Sequence, residues 1–430
     1  MKTVNGILLI YHHVMAPNAT TIMEHVNAFE QHSHFKVWKI NTEMGFPRFL
    51  NQLEFSVIVL HYSLFGWLPF SLHKSFFEYV RLSIDSYKIA FFQDEYRFWP
   101  ERADLLYTLH IDSVYTLVEN RNFDATYGRH TTVRKLTYNL PAYVSTEAVN
   151  RHKKVFKPDN ERTVDVGYRG RQPAYYLGRG AQEKHLIAVE FKKRAKHLGL
   201  RLDIETEESK RIYDEDWIRF LANCKSVLGV EAGTSIFDID NLIRPQYAAL
   251  CKGNPELTFP DCSFEEVHNA ILAPHEDQIY YRTISARHFE AASLYLCQIL
   301  FEGKYSEILK PMVHYIPLKK DFSNFDVIIN LSKNENIRRE LTENAYRDLI
   351  ASERYTYKRL LQGFDKELLT AGYYPEIRYD NAQKVNKLFE KDRLRRFVFM
   401  GFCKMKKKQF PGRNWIKPIL KPLFDSIISK

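Results

Sequence analysis

The chain has 430 residues, 45% of them hydrophobic, and a formal net charge of +10 at pH 7. This length is enough for two domains of ordinary size, and no apolar run approaches the roughly 20 residues that a helix needs to cross a bilayer. The N-terminal GILLIY is too short for a signal-peptide core, so we expect no export signal. The five cysteines are odd in number and never spaced as C-x-x-C, which excludes a zinc knuckle and a disulfide framework and predicts a reducing cytosol.

The positive charge is concentrated at the C-terminal end. Residues 391–430 contain twelve Lys or Arg against two Asp, whereas residues 1–390 contain fifty side chains of each sign. The sequence therefore predicts a neutral globular body followed by a basic tail.

Apolar runs alternate with helical segments along the first 145 residues. The predicted strands are Gly6–Tyr11, Phe35–Ile40, Phe55–Leu60, Lys88–Phe92 and Ser113–Val118. This alternation predicts a parallel sheet covered on both faces, with a ligand crevice lined by the loops that follow the strand C-termini. Those loops carry His12, His13, His61, Asp94 and Glu95.

A second alternating unit follows a polar link that begins at Leu140-Pro141 and ends near Thr163. Its predicted strands are Val164–Gly167, Leu200–Ile204, Ser226–Val230, Leu296–Phe301 and Met312–Leu318. The loop at 168–179, YRGRQPAYYLGR, is rich in Arg, Gly and Tyr, and predicted helices run with breaks from about 323 to 371. The pattern predicts a second α/β domain.

The segment 284–318, ISARHFEAASLYLCQILFEGKYSEILKPMVHYIPL, organises this second unit. It predicts a helix from about Arg287 to Tyr295, a buried strand, a tight turn and a new helix that begins near Ser306. Such a unit places the Glu290 carboxylate and a helix N-terminus on one edge of a parallel sheet. A nucleotide diphosphate needs both, because ribose hydroxyls bind carboxylates and phosphates bind amide donors.

The residues FEAASLYLCQILFEGKYSEIL resemble the donor-binding segment of GT-B glycosyltransferases, where an EA-type helix and a strand precede a Gly-containing loop that ends in Glu. VDVGYRGR, YLGRGAQEK and VLGVEAGTS further resemble a bacterial subgroup found among surface-polysaccharide genes. The resemblance covers about residues 1–370. It implies an α/β fold with two Rossmann-like domains that face a cleft, C-terminal helices that cross back to the first domain, and then the basic tail.

The implied domains are an acceptor domain (1–145), a nucleotide-sugar donor domain (146–352), crossing helices (353–390) and the basic amphipathic tail (391–430). In the family, Glu290 is the position that holds the ribose, and an Arg/Lys pair neutralises the donor diphosphate without a metal. The candidates for that pair are Arg169, Arg171, Arg179 and Lys184, and Arg287 is a further candidate for a phosphate contact or for a pair with Glu290.

Two further groups are candidates for the donor site. Gly303, Lys304, Tyr305 and Ser306 form the turn whose amides could bind an anion. Glu231, Gly233, Thr234 and Ser235 end a predicted strand on the same edge, and their small side chains suit contact with a ligand. A plain turn would use similar residues in both places.

The chain departs from the family pattern at Arg282, because many members carry a second Glu eight residues before Glu290. This departure puts in doubt the contact that the first half of the family motif would make with the donor sugar ring. It is also the one sequence feature that favours a non-catalytic partner subunit with the same fold.

The identity of a catalytic base stays open. An inverting transfer needs a base for the acceptor hydroxyl, with His12, His13, His61 and Asp94 as candidates, while a retaining transfer needs none.

In the tail, LRRFVFMGFCKMKKKQF and WIKPILKPLF interleave basic residues with large apolar ones, which favours an anionic membrane surface over a solvated tail or a nucleic-acid contact. The resulting hypothesis is a cytoplasmic glycosyltransferase, peripheral on the inner face of the membrane. It would use a nucleotide sugar as co-substrate, with no other cofactor, and a lipid-linked surface glycan as acceptor. A nucleotide-sugar epimerase with this fold is the enzymatic alternative, and the oligomeric state stays open.

Overall fold

The computed structural model describes residues 2–14, 20–68, 70–375 and 379–409. Its first sheet has six parallel strands in the order β2-β1-β3-β4-β5-β6. They are β1 Lys2–Tyr11, β2 Val37–Asn41, β3 Leu53–Leu60, β4 Tyr87–Phe91, β5 Ser113–Thr116 and β6 Lys135–Tyr138. The sequence predicted the first five of these, while β6 (KLTY) lacks the apolar run that identified the others.

The first sheet is buried on both faces because helices cover each side. Val57, Ile58, Val59 and Leu60 of β3 are all fully buried, as expected for a central parallel strand. The covering helices in this part of the chain are α1 Thr21–His32, α2 Lys74–Leu82 and α3 Trp99–Thr108.

A second parallel sheet has five strands in the order β13-β12-β9-β7-β8. They are β7 Val164–Arg169, β8 Leu202–Glu205, β9 Cys224–Gly229, β12 Cys297–Phe301 and β13 Ile316–Leu318, while β10 Ala232–Thr234 and β11 Tyr281–Thr283 form a separate antiparallel pair. The associated helices are α4 Thr146–Val155, α5 Arg179–Arg194, α6 Asp214–Ala222, α7 Ile243–Leu250, α8 Phe264–Val267, α9 Ala286–Ser293, α10 Phe325–Lys333 and α11 Glu335–Ala345.

Helix α12 (Tyr357–Thr370) returns from the second sheet to the first. Its Leu361, Phe364 and Leu368 are fully buried in the same apolar cluster as Ile7 and Val59. The chain therefore has the two α/β units and the crossing helix that the resemblance implied, and the predicted fold class is confirmed.

Helix α13 (Tyr379–Gln409) continues on the first sheet, beside its β2 edge. Trp38 Nε1 donates to Asn386 Oδ1 at 3.0 Å, the Phe389 ring lies 6.5 Å from the Trp38 ring, and the Arg396 guanidinium donates to the Asn41 carbonyl at 2.6 Å. This helix runs across position 390, where the sequence placed the start of the tail. Residues 410–430 of that tail lie outside the described residues, and the proposed domain limits stay predictions.

The two units share one apolar core near β10 and β11. A single buried cluster contains Trp99 and Tyr127 of the first unit together with Phe237 and Tyr281 of the second. The Trp99 and Phe237 ring centroids lie 5.5 Å apart.

Polar contacts reinforce this shared core. Tyr281 donates its hydroxyl to the fully buried Glu95 at 2.5 Å, and Tyr127 donates to the same carboxylate at 2.6 Å. Arg97 forms an ion pair with Glu256 at 3.2 Å. The units are thus joined by packing as well as by the chain.

Candidate active site

A cleft of about 1570 Å³ lies between the two units. It is lined by the loops that follow β1, β3, β4 and β6 of the first sheet and β7, β8 and β9 of the second. This is the edge at which ligands bind in open parallel α/β sheets. Its charged and aromatic lining includes His13, Trp67, Asp94, Arg97, Arg169, Arg171, Lys184, Trp217, Arg287 and Glu290.

On the first-unit wall, two of the predicted base candidates face the cleft. Asp94 is exposed just after β4 and adopts a left-handed backbone with φ 54°, a conformation that costs energy in a residue other than glycine and is often found at functional sites. The His13 backbone is fixed by two hydrogen bonds with Asn41, at 3.0 and 2.8 Å. Its ring Nδ1 has no partner among the described residues.

The other two base candidates do not line the cleft. His61 is fully buried, and its Nε2 lies 2.8 Å from Nδ1 of the buried His25. Burial keeps the pKa of His61 well below its ordinary value, and the neighbouring His25 adds to this shift. The His12 ring instead lies 3.0 Å from Thr42 Oγ1. His61 as a base is therefore wrong, since acceptor hydroxyls in the cleft cannot reach it, and His12 is likewise turned away.

Lys184 of α5 is the central cation of the cleft. Burial lowers the pKa of its ammonium to about 8; Asp94 acts in the opposite direction, and Arg287, Arg97 and Arg171 add to the lowering. These four groups therefore lie within electrostatic reach of one amine. A half-buried cation with three cationic neighbours and one carboxylate is an environment that an anionic ligand would neutralise.

The remaining predicted cations have different positions. Arg171 is half-exposed at the cleft and lies 4.0 Å from Glu208. The Arg169 guanidinium is turned onto Asp203 at 2.8 Å and over the Phe220 ring, so its charge is already paired. Its carbonyl accepts a hydrogen bond from Arg287 at 2.5 Å. Arg169 therefore positions Arg287, and Arg171 is the arginine of the predicted pair that stays available.

Arg179 does not belong to this site. Its guanidinium makes two hydrogen bonds to Glu265, at 2.7 and 2.6 Å, and it does not line the cleft. The sequence placed it in the same loop as Arg171, but α5 begins at Arg179 and the side chain points towards α8 instead.

Glu290 lies on the second-unit wall of the cleft, one helical turn after Arg287. Its carboxylate accepts a hydrogen bond from Trp217 Nε1 at 2.8 Å, and burial raises its pKa, with the indole donor and Arg287 acting in the opposite direction. The Arg287 guanidinium stacks on the Trp217 ring at 4.8 Å. Trp217 thus orients both charged groups, and a carboxylate oriented in this way can accept hydrogen bonds from hydroxyl groups of a ligand.

The turn at 303–306 is not an anion site. Glu231 accepts hydrogen bonds from the amides of Lys304 and Tyr305, at 3.1 and 2.7 Å, and a Cβ on Gly303 would meet the same carboxylate at 2.7 Å. The helix predicted to begin near Ser306 is a single 3₁₀ turn, with Ser306 at φ 56°. The prediction was wrong because the carboxylate of this chain already occupies the donors that a phosphate would need.

The small residues after β9 are also structural. Thr234 and Ser235 are fully buried, and Ser235 Oγ accepts the amide of Gly180 at 2.8 Å. Gly233 has φ 94°, and a Cβ there would collide with the Tyr281 carbonyl across the β10–β11 pair. Their small size serves this close packing and no ligand contact.

Arg282 forms ion pairs inside the second unit. Its side chain is 10% exposed and lies 3.3 Å from Glu183 and 3.4 Å from Asp277, and it packs against Gly180. It does not line the cleft. The side chain at position 282 therefore belongs to an internal ion network.

Sequence reasoning missed three residues that shape the cleft. Trp217 lies in helix α6, and Arg97 and Trp67 lie in loops without a recognisable motif. The Arg97 guanidinium lies 5.5 Å from the Trp67 ring, which is 53% exposed at the cleft. An aromatic residue close after a predicted strand end was the only available signal.

Among the residues that the structure describes, no group of three or more His, Cys, Asp or Glu side chains is arranged to hold a metal ion. Within the same residues, no helix is long and apolar enough to cross a membrane. Transfer without a metal stays a prediction.

Comparison with known proteins gives a likeness of fold only. No family model matches the chain, and no curated protein matches it. Among solved structures, HepE of Anabaena in complex with UDP and glucose has 10% identity and a TM-score of 0.44, over 85% of this chain and 99% of that chain. Sucrose-phosphate synthase of Thermosynechococcus elongatus has 11% identity and a TM-score of 0.44, over 86% and 100%.

AviGT4, a glycosyltransferase involved in avilamycin A biosynthesis, has 12% identity and a TM-score of 0.40, over 86% of this chain and 99% of that chain. At such low identities and TM-scores, the fold is assigned from the strand order and the crossing helix of this chain.

Proposed function

We propose that this protein is a glycosyltransferase that moves a sugar from a nucleotide-sugar donor to a hydroxyl of a surface glycan. The observation that carries the proposal is the group of charged side chains in the cleft. Lys184, Arg171 and Arg287 supply positive charge beside the oriented Glu290 carboxylate, and Asp94 approaches the same group from the first unit.

A nucleotide sugar fits this arrangement group by group. The diphosphate would be neutralised by Lys184, Arg171 and Arg287, and the ribose hydroxyls would donate to Glu290. In the transfer, the acceptor oxygen forms a bond to the anomeric carbon as the bond from that carbon to the diphosphate oxygen breaks. The electron pair leaves with the nucleoside diphosphate, whose growing negative charge the three cations stabilise.

The acceptor proton has two candidate bases in the cleft, Asp94 and His13, if the configuration inverts. Asp94 lies in the cleft within electrostatic reach of Lys184, so a proton taken up there remains close to the leaving diphosphate. We therefore place Asp94 ahead of His13. In a retaining transfer the acceptor proton would pass to the departing diphosphate oxygen, and both residues would only position the acceptor.

Membrane attachment is part of the proposal and has support from α13. Leu394, Phe397 and Val398 are spaced to lie on one side of this helix and are 63%, 76% and 53% exposed. Lys391 and Arg395 lie close to them in sequence. An exposed apolar strip with basic neighbours is typical of a helix that lies on an anionic membrane. A lipid-linked acceptor on the inner face of the membrane would be within reach of such an attached enzyme.

The proposal is tested first by thermal shift with UDP, GDP, CMP and dTDP and their sugar conjugates, because a ligand of the folded state raises the melting temperature. A shift with one nucleotide family, abolished in Glu290→Ala, supports the donor site. No shift with any of them would contradict it and favour the alternative that Arg282 suggested, a non-catalytic partner subunit. Turnover of the identified donor sugar then separates transfer from binding.

A further inference from the structure

A second groove, of about 450 Å³, lies between the edge strand β6 and the crossing helix α12. Its volume is within the range of about 300–1,000 Å³ that ligand sites occupy. Its aromatic and aliphatic lining includes Tyr115, Leu140, Tyr143, Tyr355 and Leu360. Four basic side chains also line it: Lys135, Arg354, Arg359 and Lys366.

The basic side chains of α12 are aligned by the helix. Arg359, Gly363, Lys366 and Thr370 follow one another at spacings of three or four residues, so they share the face that meets β6. A Cβ on Gly363 would meet nothing within 4 Å, so the space between the two cations is open.

The groove carries positive charge that the protein does not neutralise. Glu367 is the only carboxylate among its described lining residues, and it is 5% exposed. Its oxygens already accept hydrogen bonds from Tyr87 at 3.1 Å and Tyr115 at 2.8 Å, and one lies 3.4 Å from Lys135.

The other three cations have no such partner. Within the described residues, Arg354 and Lys366 form no ion pair, and the Arg359 guanidinium donates to the neutral Gln362 at 3.3 Å. Three unpaired cations around an aromatic surface suit an anion that also has an apolar face.

Tyr143 lines both the groove and the cleft, so the two cavities are neighbours. Its hydroxyl donates to Asn139 Oδ1 at 2.6 Å, and its ring lies 5.7 Å from the Tyr357 ring, so the residue is held in place. A ligand that occupies both cavities would pass beside Tyr143 to reach Arg359 and Lys366.

We propose that this groove binds an anionic segment of the acceptor glycan, with carboxylate- or phosphate-bearing sugars, beyond the sugar that reacts in the cleft. The choice of a glycan rests on the proposed function. Sugar rings present apolar faces to tyrosine rings, and arginine binds carboxylates and phosphates through two parallel hydrogen bonds. The site is concave with an aromatic lining, which suits a chain of sugars better than the plane of a bilayer.

The test compares Arg359→Glu/Lys366→Glu with the wild type by calorimetric titration. The probes are an oligogalacturonate of about six sugars, its neutral counterpart maltohexaose, and phosphatidylglycerol vesicles. We expect the double variant to lose at least about tenfold in affinity for oligogalacturonate, since both substitutions replace a donor of charge-assisted hydrogen bonds by a negative charge. Maltohexaose should bind weakly and equally to both proteins, and vesicle binding should be unchanged.

Lys358→Glu, alone and with an added Lys153→Glu, is the matched control, because both lysines are exposed and neither lines the groove. An equal loss of oligogalacturonate affinity in this control would overturn the proposal in favour of non-specific charge. A loss of vesicle binding without a loss of oligogalacturonate binding would overturn it in favour of a lipid surface. The nucleotide thermal shift, read in the same variants, tests the cleft separately, so failure of the groove and failure of the proposed function are distinguishable.

Discussion

Trp217 donates its indole N–H to the Glu290 carboxylate at 2.8 Å and stacks on Arg287. One aromatic residue thus fixes a negative and a positive group on the same wall of the cleft. The arrangement gives Glu290 one oxygen in contact with the protein and leaves the other able to accept hydrogen bonds from a ligand.

We expect Glu290→Ala to weaken nucleotide binding about 10- to 100-fold, because hydrogen bonds to a charged group contribute about 1.5–3 kcal/mol. Trp217→Phe, which keeps a ring beside Arg287 but removes the donor, should have a smaller effect. Calorimetric titration of the nucleotide identified by thermal shift measures both. Glu302→Ala, at an exposed carboxylate outside the cleft, is the control. An unchanged dissociation constant in Glu290→Ala would remove Glu290 from the donor site.

Lys184 gives nucleotide binding a pH dependence. Because the pKa of its ammonium is about 8 in the free protein, the amine loses its proton and its attraction for a diphosphate as the pH rises above 8. A bound anion raises that pKa, so the dissociation constant should increase with pH, by at most about tenfold per pH unit. Lys184→Arg should bind with little dependence on pH between 7 and 9, since arginine stays protonated. A similar pH dependence in both proteins would show that another group titrates.

Glu231 should matter for stability and leave nucleotide binding unaffected. It is 4% exposed and accepts hydrogen bonds from two backbone amides and from the Tyr280 hydroxyl at 3.0 Å. Glu231→Ala leaves the buried Tyr305 amide without a partner, at a cost of about 1–3 kcal/mol in the free energy of unfolding. Urea unfolding measures the loss. A variant that kept its stability but lost nucleotide affinity would instead place the Glu231 carboxylate itself in the donor site.

The exposed strip of α13 should contribute to membrane binding. Replacing Leu394, Phe397 and Val398 by Ser removes apolar surface without changing charge, so sedimentation with phosphatidylglycerol vesicles should fall. Leu82→Ser/Ile84→Ser removes two side chains that are 60% and 77% exposed elsewhere, and should leave sedimentation unchanged. Equal binding of the triple variant and the wild type would contradict the membrane proposal.

The fold was largely predictable because its strands are short apolar runs in regular alternation. Val57–Leu60 and Ile299–Phe301 are buried on both faces, and a run of that composition and length has few other interpretations. Strand β6 was missed because KLTY is half-buried at a sheet edge. The predicted strand Met312–Leu318 is shorter, Ile316–Leu318, because residues 312–314 form a turn.

The site was predictable only in part, because side-chain partners far apart in sequence decide which charges are available. Arg179 and Arg171 look alike in their loop, yet Glu265 pairs with the first and leaves the second at the cleft. The amides at 304–305 look available until Glu231, more than seventy residues earlier, is placed against them. Periodicity and motif spacing carry no information about such pairs.

The core shared by Trp99, Tyr127, Phe237 and Tyr281 makes the folding of each unit depend on the other. If the chain were cut after the first sheet, the amino-terminal fragment would expose Trp99 and Tyr127 to water and leave the buried Glu95 without its Tyr281 partner. The carboxy-terminal fragment would lose the partner of Phe237 and the first-sheet surface that α12 covers. Neither fragment should be soluble by itself, and the intact protein should melt in one cooperative transition, as a single thermodynamic unit.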